Sequence, residues 1–232
     1  MMHRSALLLA TALLFAPLAA QAETAVTIPP PAAAETPAPG AGLETAVLAG
    51  GCFWGIQAVY QHVKGVTNAV SGYAGGTQKD ATYGVVSSGR TSHAESVRVT
   101  FNPREVSYGK ILQIYFSVAH DPTQLNRQGP DTGPQYRSEI FPQNEAQQKI
   151  ANDYIAQLDK AHVYKRPIVT KAHTMKVPFY AAEAYHQDYA IHHPYQPYIV
   201  FNDAPKVENL KKQFPDVWRD QPVTVAEAAK TN

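Results

Sequence analysis

Apolar positions along this chain follow two periods. Glu44–Ala49 ends in a continuous apolar run and reads as a strand. Phe53–Val63 places Ile56, Val59, Tyr60 and Val63 at helical spacing, and Lys64-Gly65 closes it as a helix C-terminus does. Val66–Tyr73 reads as a second strand, stopped by Gly75-Gly76. Ser92–Phe101 alternates: Ala94, Ser96, Arg98 and Thr100 share one face, and His93, Glu95, Val97, Val99 and Phe101 the other. Ser107 is placed to cap a helix running to about Val118. His120 to Gly133 is a long loop of turn residues, and Tyr136–Phe141 a short strand. Asn144, with Gln147 three residues on, resembles a capping box opening a helix to about Lys160. Ile168–His173 reads as a strand and Ala181–Tyr189 as a short helix; from Pro194 the tail reads as irregular, with a helical stretch around Val207–Gln213. The order βαβ then βαβ predicts an α+β fold, a two-layer sandwich of the split-βαβ, ferredoxin-like type with an irregular C-terminal tail.

Ahead of the first strand the pattern changes. Met1-Met2-His3-Arg4, an apolar run from Ala6 to Ala16 too short to span a bilayer, and Ala20-Gln21-Ala22 read as a signal peptide over residues 1–22. Periplasmic or secreted localisation is the expectation. Residues 23–43, with Pro29-Pro30-Pro31, read as an extended Pro/Ala-rich linker, leaving residues 44–232 as one domain. A formal net charge of +1 gives no reason to expect nucleic acid or a membrane surface as partner. A monomer is expected.

The single cysteine, Cys52, lies in Gly50-Gly51-Cys52-Phe53-Trp54-Gly55, between the first strand and the first helix. Backbone N–H groups and the helix dipole favour negative charge there, so the reading is a reactive thiolate rather than a buried small hydrophobe. In an exported protein an unpaired cysteine also points to a reactive thiol. Glu95 sits among apolar same-face neighbours, where lost hydration raises a carboxyl pKa; pairing with Arg98 or Arg90 is the plainer alternative. Tyr83, in Ala81-Thr82-Tyr83-Gly84, and Tyr136, after Gly133-Pro134-Gln135, are not singled out by spacing among 13 tyrosines. His93-x-Glu95 matches half of a zinc deaminase signature, but its two-cysteine partner is missing. His186, His192 and His193 lack a metal-ligand spacing and read as structural. Arg127, Asp131, Arg137 and Asp121 read as braces of the long loop.

Taken in order, Gly51-Cys52-Phe53-Trp54-Gly55, Gly72-Tyr73-Ala74-Gly75-Gly76, Thr82-Tyr83, Ser88–Glu95, His120–Gly129, Gln135–Ser138 and Tyr185–Tyr189 resemble the peptide methionine sulfoxide reductase A family from about Thr45 to Tyr189. The resemblance implies thiol-dependent reduction of methionine S-sulfoxide, in proteins and free. Cys52 would attack the sulfoxide sulfur, and Glu95 would protonate the oxygen, which Tyr83 and Tyr136 would hydrogen-bond. Phe53 and Trp54 would hold the methyl group, and Asp131 is associated with the same site. The product would be methionine and a sulfenic acid on Cys52. No metal and no bound cofactor are implied. Many members carry further cysteines that resolve the sulfenic acid; here none follows Cys52, so an external thiol, a thioredoxin-like protein or a small molecule, is the expected reductant. A thiol peroxidase has no use for the Phe53-Trp54 pocket, and a methionine-binding module has none for Cys52 with Glu95.

Overall fold

The computed structural model describes residues 25–32, 40, 42–173 and 176–230; the expected signal peptide lies outside these. In chain order the elements are β1 (Glu44–Ala49), α1 (Phe53–Gln61), β2 (Val66–Ala74), α2 (Tyr83–Val86), β3 (Ala94–Phe101), α3 (Tyr108–Ile114), β4 (Arg127–Gln128), β5 (Asp131–Thr132), β6 (Glu139–Phe141), α4 (Glu145–Lys160), β7 (Lys171–Ala172), β8 (Phe179–Ala181), α5 (Tyr189–His192), α6 (Ala204–Gln213) and α7 (Val225–Ala228). Six strands form one sheet in the order β7-β6-β1-β3-β2-β8, while β4 and β5 make a separate hairpin. The inner four, β6-β1-β3-β2, pair antiparallel throughout. A crossover helix joins β1 to β2 with β3 between them, which is the split-βαβ arrangement.

The alternation in β3 decides which face is covered. Val97, Val99 and Phe101 join Ala46 and Leu48 of β1 against Phe53, Ile56, Val59 and Tyr60 of α1 and Ile111 and Leu112 of α3 in one core. Ala94 lies on the other face in a smaller cluster with Val47, Ala49 and Phe141. Truncating a fully buried member such as Ile56 costs about 2–5 kcal/mol. No helix among the described residues is long and apolar enough to cross a membrane.

Several elements differ from their sequence reading, each for a local reason. Ser107 does cap α3, accepting from Lys110 N–H at 3.1 Å. The helix then loosens into a π-turn over Tyr115–Ala119. Asn144 accepts from Gln147 N–H at 2.8 Å, but the Gln147 side chain turns to Gln143 N–H and Thr45 C=O, so only half the capping box forms. Of the expected strand Ile168–His173 only β7 joins the sheet, and of Tyr136–Phe141 only β6. The expected helix over Ala181–Tyr189 is a 3₁₀ turn at Ala184–His186 followed by α5, and the preceding residues add β8 to the edge of β2. The tail carries more helix than expected: a π-turn over Ile199–Asp203 runs into α6, which includes the expected stretch Val207–Gln213, and after residues 214–224, which form no helix, a Thr224–Glu227 capping box opens α7.

Within the Pro/Ala-rich stretch, residues 25–32 form no helix or strand and are docked on the domain as a strap. Val26 N–H donates to Ser117 C=O at 3.0 Å. Gln113 Nε2 donates to Ile28 C=O at 3.0 Å, and Tyr154 Oη to Pro29 C=O at 2.7 Å. Prolines offer carbonyls but no N–H, so donors on α3 and α4 supply the partners. Ile28 is buried in the main core beneath them.

Candidate active site

The turn from β1 into α1 requires Gly51. Its φ is +95°, a region L side chains avoid, and a Cβ there would lie 2.6 Å from the Gln128 side chain. Cys52 then takes the N-cap position of α1 and is buried, with 8% of its surface exposed. Glu95, at the start of β3, faces the same helix end: its Oε2 accepts Phe53 N–H at 3.1 Å. Residues 43 positions apart thus meet because β1 and β3 are neighbours in the sheet. Neither Arg98 nor Arg90 takes the Glu95 carboxylate; Arg98 lies over the Phe179 ring instead.

The remaining expected residues converge on this pair. Tyr83 opens α2, where Glu183 accepts its backbone N–H at 2.9 Å and the Tyr73 hydroxyl at 2.9 Å. Tyr136 ends a 3₁₀ turn tied to the start of β3 by Arg137, whose guanidinium bonds Glu139, Ser92 C=O and His93 C=O. The hydroxyls of Tyr83 and Tyr136 make no protein hydrogen bond among the described residues, so both are open to a ligand. Asp131, on β5, accepts the Tyr198 hydroxyl. Asp121 takes Thr123, Gln124 and Arg166, and Arg127 takes Gly129 C=O; both brace the loop.

Sequence reasoning did not find the C-terminal wall. Tyr198, Asn202 and Lys206 line a cavity of about 20 Å³ together with Cys52, Gln128 and Asp131. They recur every four residues, the spacing of one helix face. Asp203 is fully buried and ion-paired with Lys206 at 3.5 Å. It packs so closely on α1 that a Cβ on Gly55 would collide with its Oδ1. A wider hollow of about 510 Å³, edged by Val26, Asp121, Tyr164 and Arg166, does not have Cys52 in its lining. No group of three or more His, Cys, Asp or Glu arranged to hold a metal occurs among the described residues. His186 instead accepts the Trp54 indole N–H, and His193 lies on the Tyr189 ring.

The electrostatics correct one expectation. The helix end does not make Cys52 a resting thiolate. Burial, then the carboxylates of Glu95 and Asp203, push its pKa well above the ordinary 9.0, and the Trp54 backbone N–H opposes them only in part. Burial also raises Glu95, to about 8, despite the Phe53 N–H that favours the carboxylate. Near pH 7 the pair therefore holds a thiol and a neutral carboxylic acid. Asp203 is raised to about 6 by burial, with Lys206 opposing. Burial raises Asp131 as well, against the Tyr198 hydrogen bond and Lys206.

A buried thiol and a proton-holding carboxyl at one helix end, with two phenols that make no protein hydrogen bond among the described residues, form a site suited to thiol-based redox chemistry on an α+β sandwich. The family model for peptide methionine sulfoxide reductase matches residues 44–218. Peptide methionine sulfoxide reductase MsrA 2 of Mesorhizobium japonicum is 60% identical over 188 residues, covering 81% of this chain and 96% of that protein. Reduced Mxr1 from Saccharomyces cerevisiae superposes with a TM-score of 0.58 at 31% identity, covering 66% of this chain and 87% of that one. Methionine sulfoxide reductase A of Corynebacterium diphtheriae gives 0.56 at 34%, over 67% and 77%. The chain belongs to the peptide methionine sulfoxide reductase family and is an oxidoreductase acting on methionine sulfoxide.

Proposed function

We propose that this chain reduces methionine S-sulfoxide, in exported proteins and as the free amino acid, through a sulfenic acid on Cys52. The observation that carries this reading is the Glu95 carboxyl at the helix end beside Cys52, holding its proton up to about pH 8. Cys52 Sγ attacks the sulfoxide sulfur while Glu95 delivers its proton to the oxygen, whose developing negative charge Tyr83 and Tyr136 hydrogen-bond. The proton leaving the thiol returns to Glu95. The sulfur–oxygen bond of the substrate breaks, and oxygen ends on Cys52, so thiol plus sulfoxide becomes sulfenic acid plus sulfide with nothing else consumed. Phe53 and Trp54 seat the methyl group, and Asp131, held by Tyr198, binds the rest of the methionine.

Two equivalents of an external thiol then return Cys52 to the thiol, releasing water and a disulfide. Within these 232 residues no second cysteine does so. A thioredoxin-like protein of the same compartment fits this role. One chain supplies every group named, which suits action as a monomer. The leader-like residues 1–22 put that action in the periplasm or outside the cell.

One equivalent of an S-sulfoxide peptide, given without reductant, should yield one methionine and add one oxygen to the protein mass. Dimedone should capture that oxidised cysteine. Release of methionine with an unmodified mass refutes the sulfenic acid route, and equal turnover of the R epimer refutes the stereochemical part. Cell fractionation tests the location.

A further inference from the structure

The turn that carries Cys52 has no side chain of its own to fix it. Gly50 and Gly51 stand between the end of β1 and the thiol, and glycine has the widest backbone freedom of any residue. The restraint comes from one distant stretch, residues 115–128. The Tyr115 hydroxyl donates to Ala49 C=O at 2.6 Å. The His120 ring lies against Gly50, where a Cβ would come within 2.8 Å of its Cγ. The Gln128 stem lies against Gly51, with its amide clamped on the Asp121 N–H and C=O at 3.0 and 3.1 Å. Three consecutive residues of the turn thus meet three side chains in the same chain order.

We infer that Tyr115 and His120 are positioning residues for the nucleophile: by holding Ala49 and Gly50 they fix where Cys52 presents its sulfur to the substrate. This rests on the reading above that Cys52 attacks the sulfoxide sulfur. The protons behind the two residues run one way. A carbonyl only accepts, so His120 Nδ1, 3.0 Å from Tyr115 C=O, carries the ring proton and Nε2 presents a lone pair. Ser138, 2.7 Å from Nε2, therefore donates to it, and the Thr170 hydroxyl, 2.6 Å from Ser138, donates in turn. Burial keeps the imidazole neutral, lowering its pKa to about 3 against the bond to Tyr115 C=O. All four side chains are buried, so the ring cannot swing away from Gly50 without stranding a polar group out of reach of water. The helix beyond the turn is anchored separately, through Phe53, Ile56, Val59 and Tyr60 in the core. Slack at the turn therefore falls on residues 49–52 and moves the sulfur more than the aromatic pocket. Misplacing a reacting atom by about 1 Å costs on the order of 10²-fold in rate.

The test is single-turnover release of methionine from an S-sulfoxide peptide across substrate concentration, at a temperature where each variant is folded by circular dichroism. Tyr115→Phe removes only the hydroxyl. His120→Ala removes the ring, whereas His120→Asn keeps an amide N–H near Nδ1 and a planar group against Gly50. Gly50→Ala drives a methyl into the ring. Leu158→Ala, a fully buried position on α4, controls for lost stability alone. Tyr115→Phe and His120→Ala should lower the maximal rate by roughly 10–100-fold while half-saturation stays within about threefold. His120→Asn should recover most of the rate. Gly50→Ala should lose rate as His120→Ala does, and the double variant Gly50→Ala/His120→Ala should be faster than either, because the methyl fills space the ring has left. Leu158→Ala should lower the melting temperature and keep the wild-type rate.

A wild-type maximal rate in Tyr115→Phe overturns the inference, as does a double variant no faster than Gly50→Ala. So does a set of variants, Leu158→Ala among them, whose rates merely follow their melting temperatures. Should His120→Ala not fold, Tyr115→Phe, which keeps the ring and its packing, decides alone. Methionine release by Cys52→Ser refutes instead the underlying reading of the nucleophile, and the two failures are distinguishable.

Discussion

Replacing Glu95 by Gln should destroy activity and stabilise the protein. The wild-type carboxyl releases its proton near 4.5 in an unfolded chain but holds it to about 8 when folded. Between those values the folded state binds more protons than the unfolded one, so this group's contribution to stability is full at low pH and drains away as pH rises. With those two values the loss is ~1 kcal/mol at pH 5 and ~3 kcal/mol at pH 7, reaching about 5 kcal/mol beyond pH 8. Glutamine cannot ionise, and its side-chain oxygen can still accept Phe53 N–H. The stability difference between variant and wild type should therefore widen by ~2–3 kcal/mol from pH 5 to pH 7. At this chain length that is a gap in melting temperature opening by about 5–10 °C. Thermal or urea unfolding of both proteins across pH 5 to 8 measures it, and the subtraction cancels the titrating groups that do not interact with Glu95. Parallel curves would refute the claim that Glu95 is neutral in the folded protein. Turnover at pH 7 should fall by roughly 10²–10⁴, the span of a lost general acid, and a variant as active as wild type would leave the carboxyl with no catalytic part.

Other outcomes follow from single contacts. Cys52→Ser should retain less than roughly one per cent of turnover, because an alcohol is a feeble nucleophile toward sulfur. Tyr198→Phe removes the hydroxyl held by Asp131 and should raise KM several-fold more than it lowers the maximal rate, as steady-state kinetics will tell. Gly55→Ala drives a methyl into Asp203 and should cost ~1–3 kcal/mol by denaturant titration, and unchanged stability would mean the tail does not press on α1 as described. Deleting residues 25–32 uncovers the core beneath Ile28 and should lower the melting temperature while KM stays the same.

The central sheet and half of the site were legible because their determinants are local. The alternation of β3 put Glu95 on the helix-covered face, and the glycines around Cys52 marked a turn that only a positive φ satisfies. What stayed hidden depends on distant partners. Whether a helix end activates a thiol depends on how deeply it is buried and which carboxylates face it; Asp203 lies 151 residues from Cys52 in the chain. The tail from Tyr198 to Lys206 begins as a π-turn, which blurs the helical period and conceals that Tyr198, Asn202 and Lys206 share one side. His186 looked like any histidine among aromatics until its indole partner, 132 positions earlier, was in view. Proline carbonyls give no hint of the glutamine and tyrosine donors that dock the strap.

The site is built on two tiers of unequal permanence. Cys52 and Glu95 hang from β1 and β3, the two middle strands, which are paired on both sides and open to exchange only when the whole sheet does. Tyr198, Asn202, Asp203 and Lys206 come from a segment that makes no backbone–backbone hydrogen bond to α1 among the described residues. A sub-global fluctuation that lifts this segment would uncover the sulfur and leave nucleophile and acid where they were. In hydrogen-exchange terms the backbone of β1 and β3 should report the global unfolding free energy, and residues 198–213 a smaller one. On that expectation Cys52 and Glu95 sit in the slowest-exchanging unit and the cover over the sulfur in a faster one.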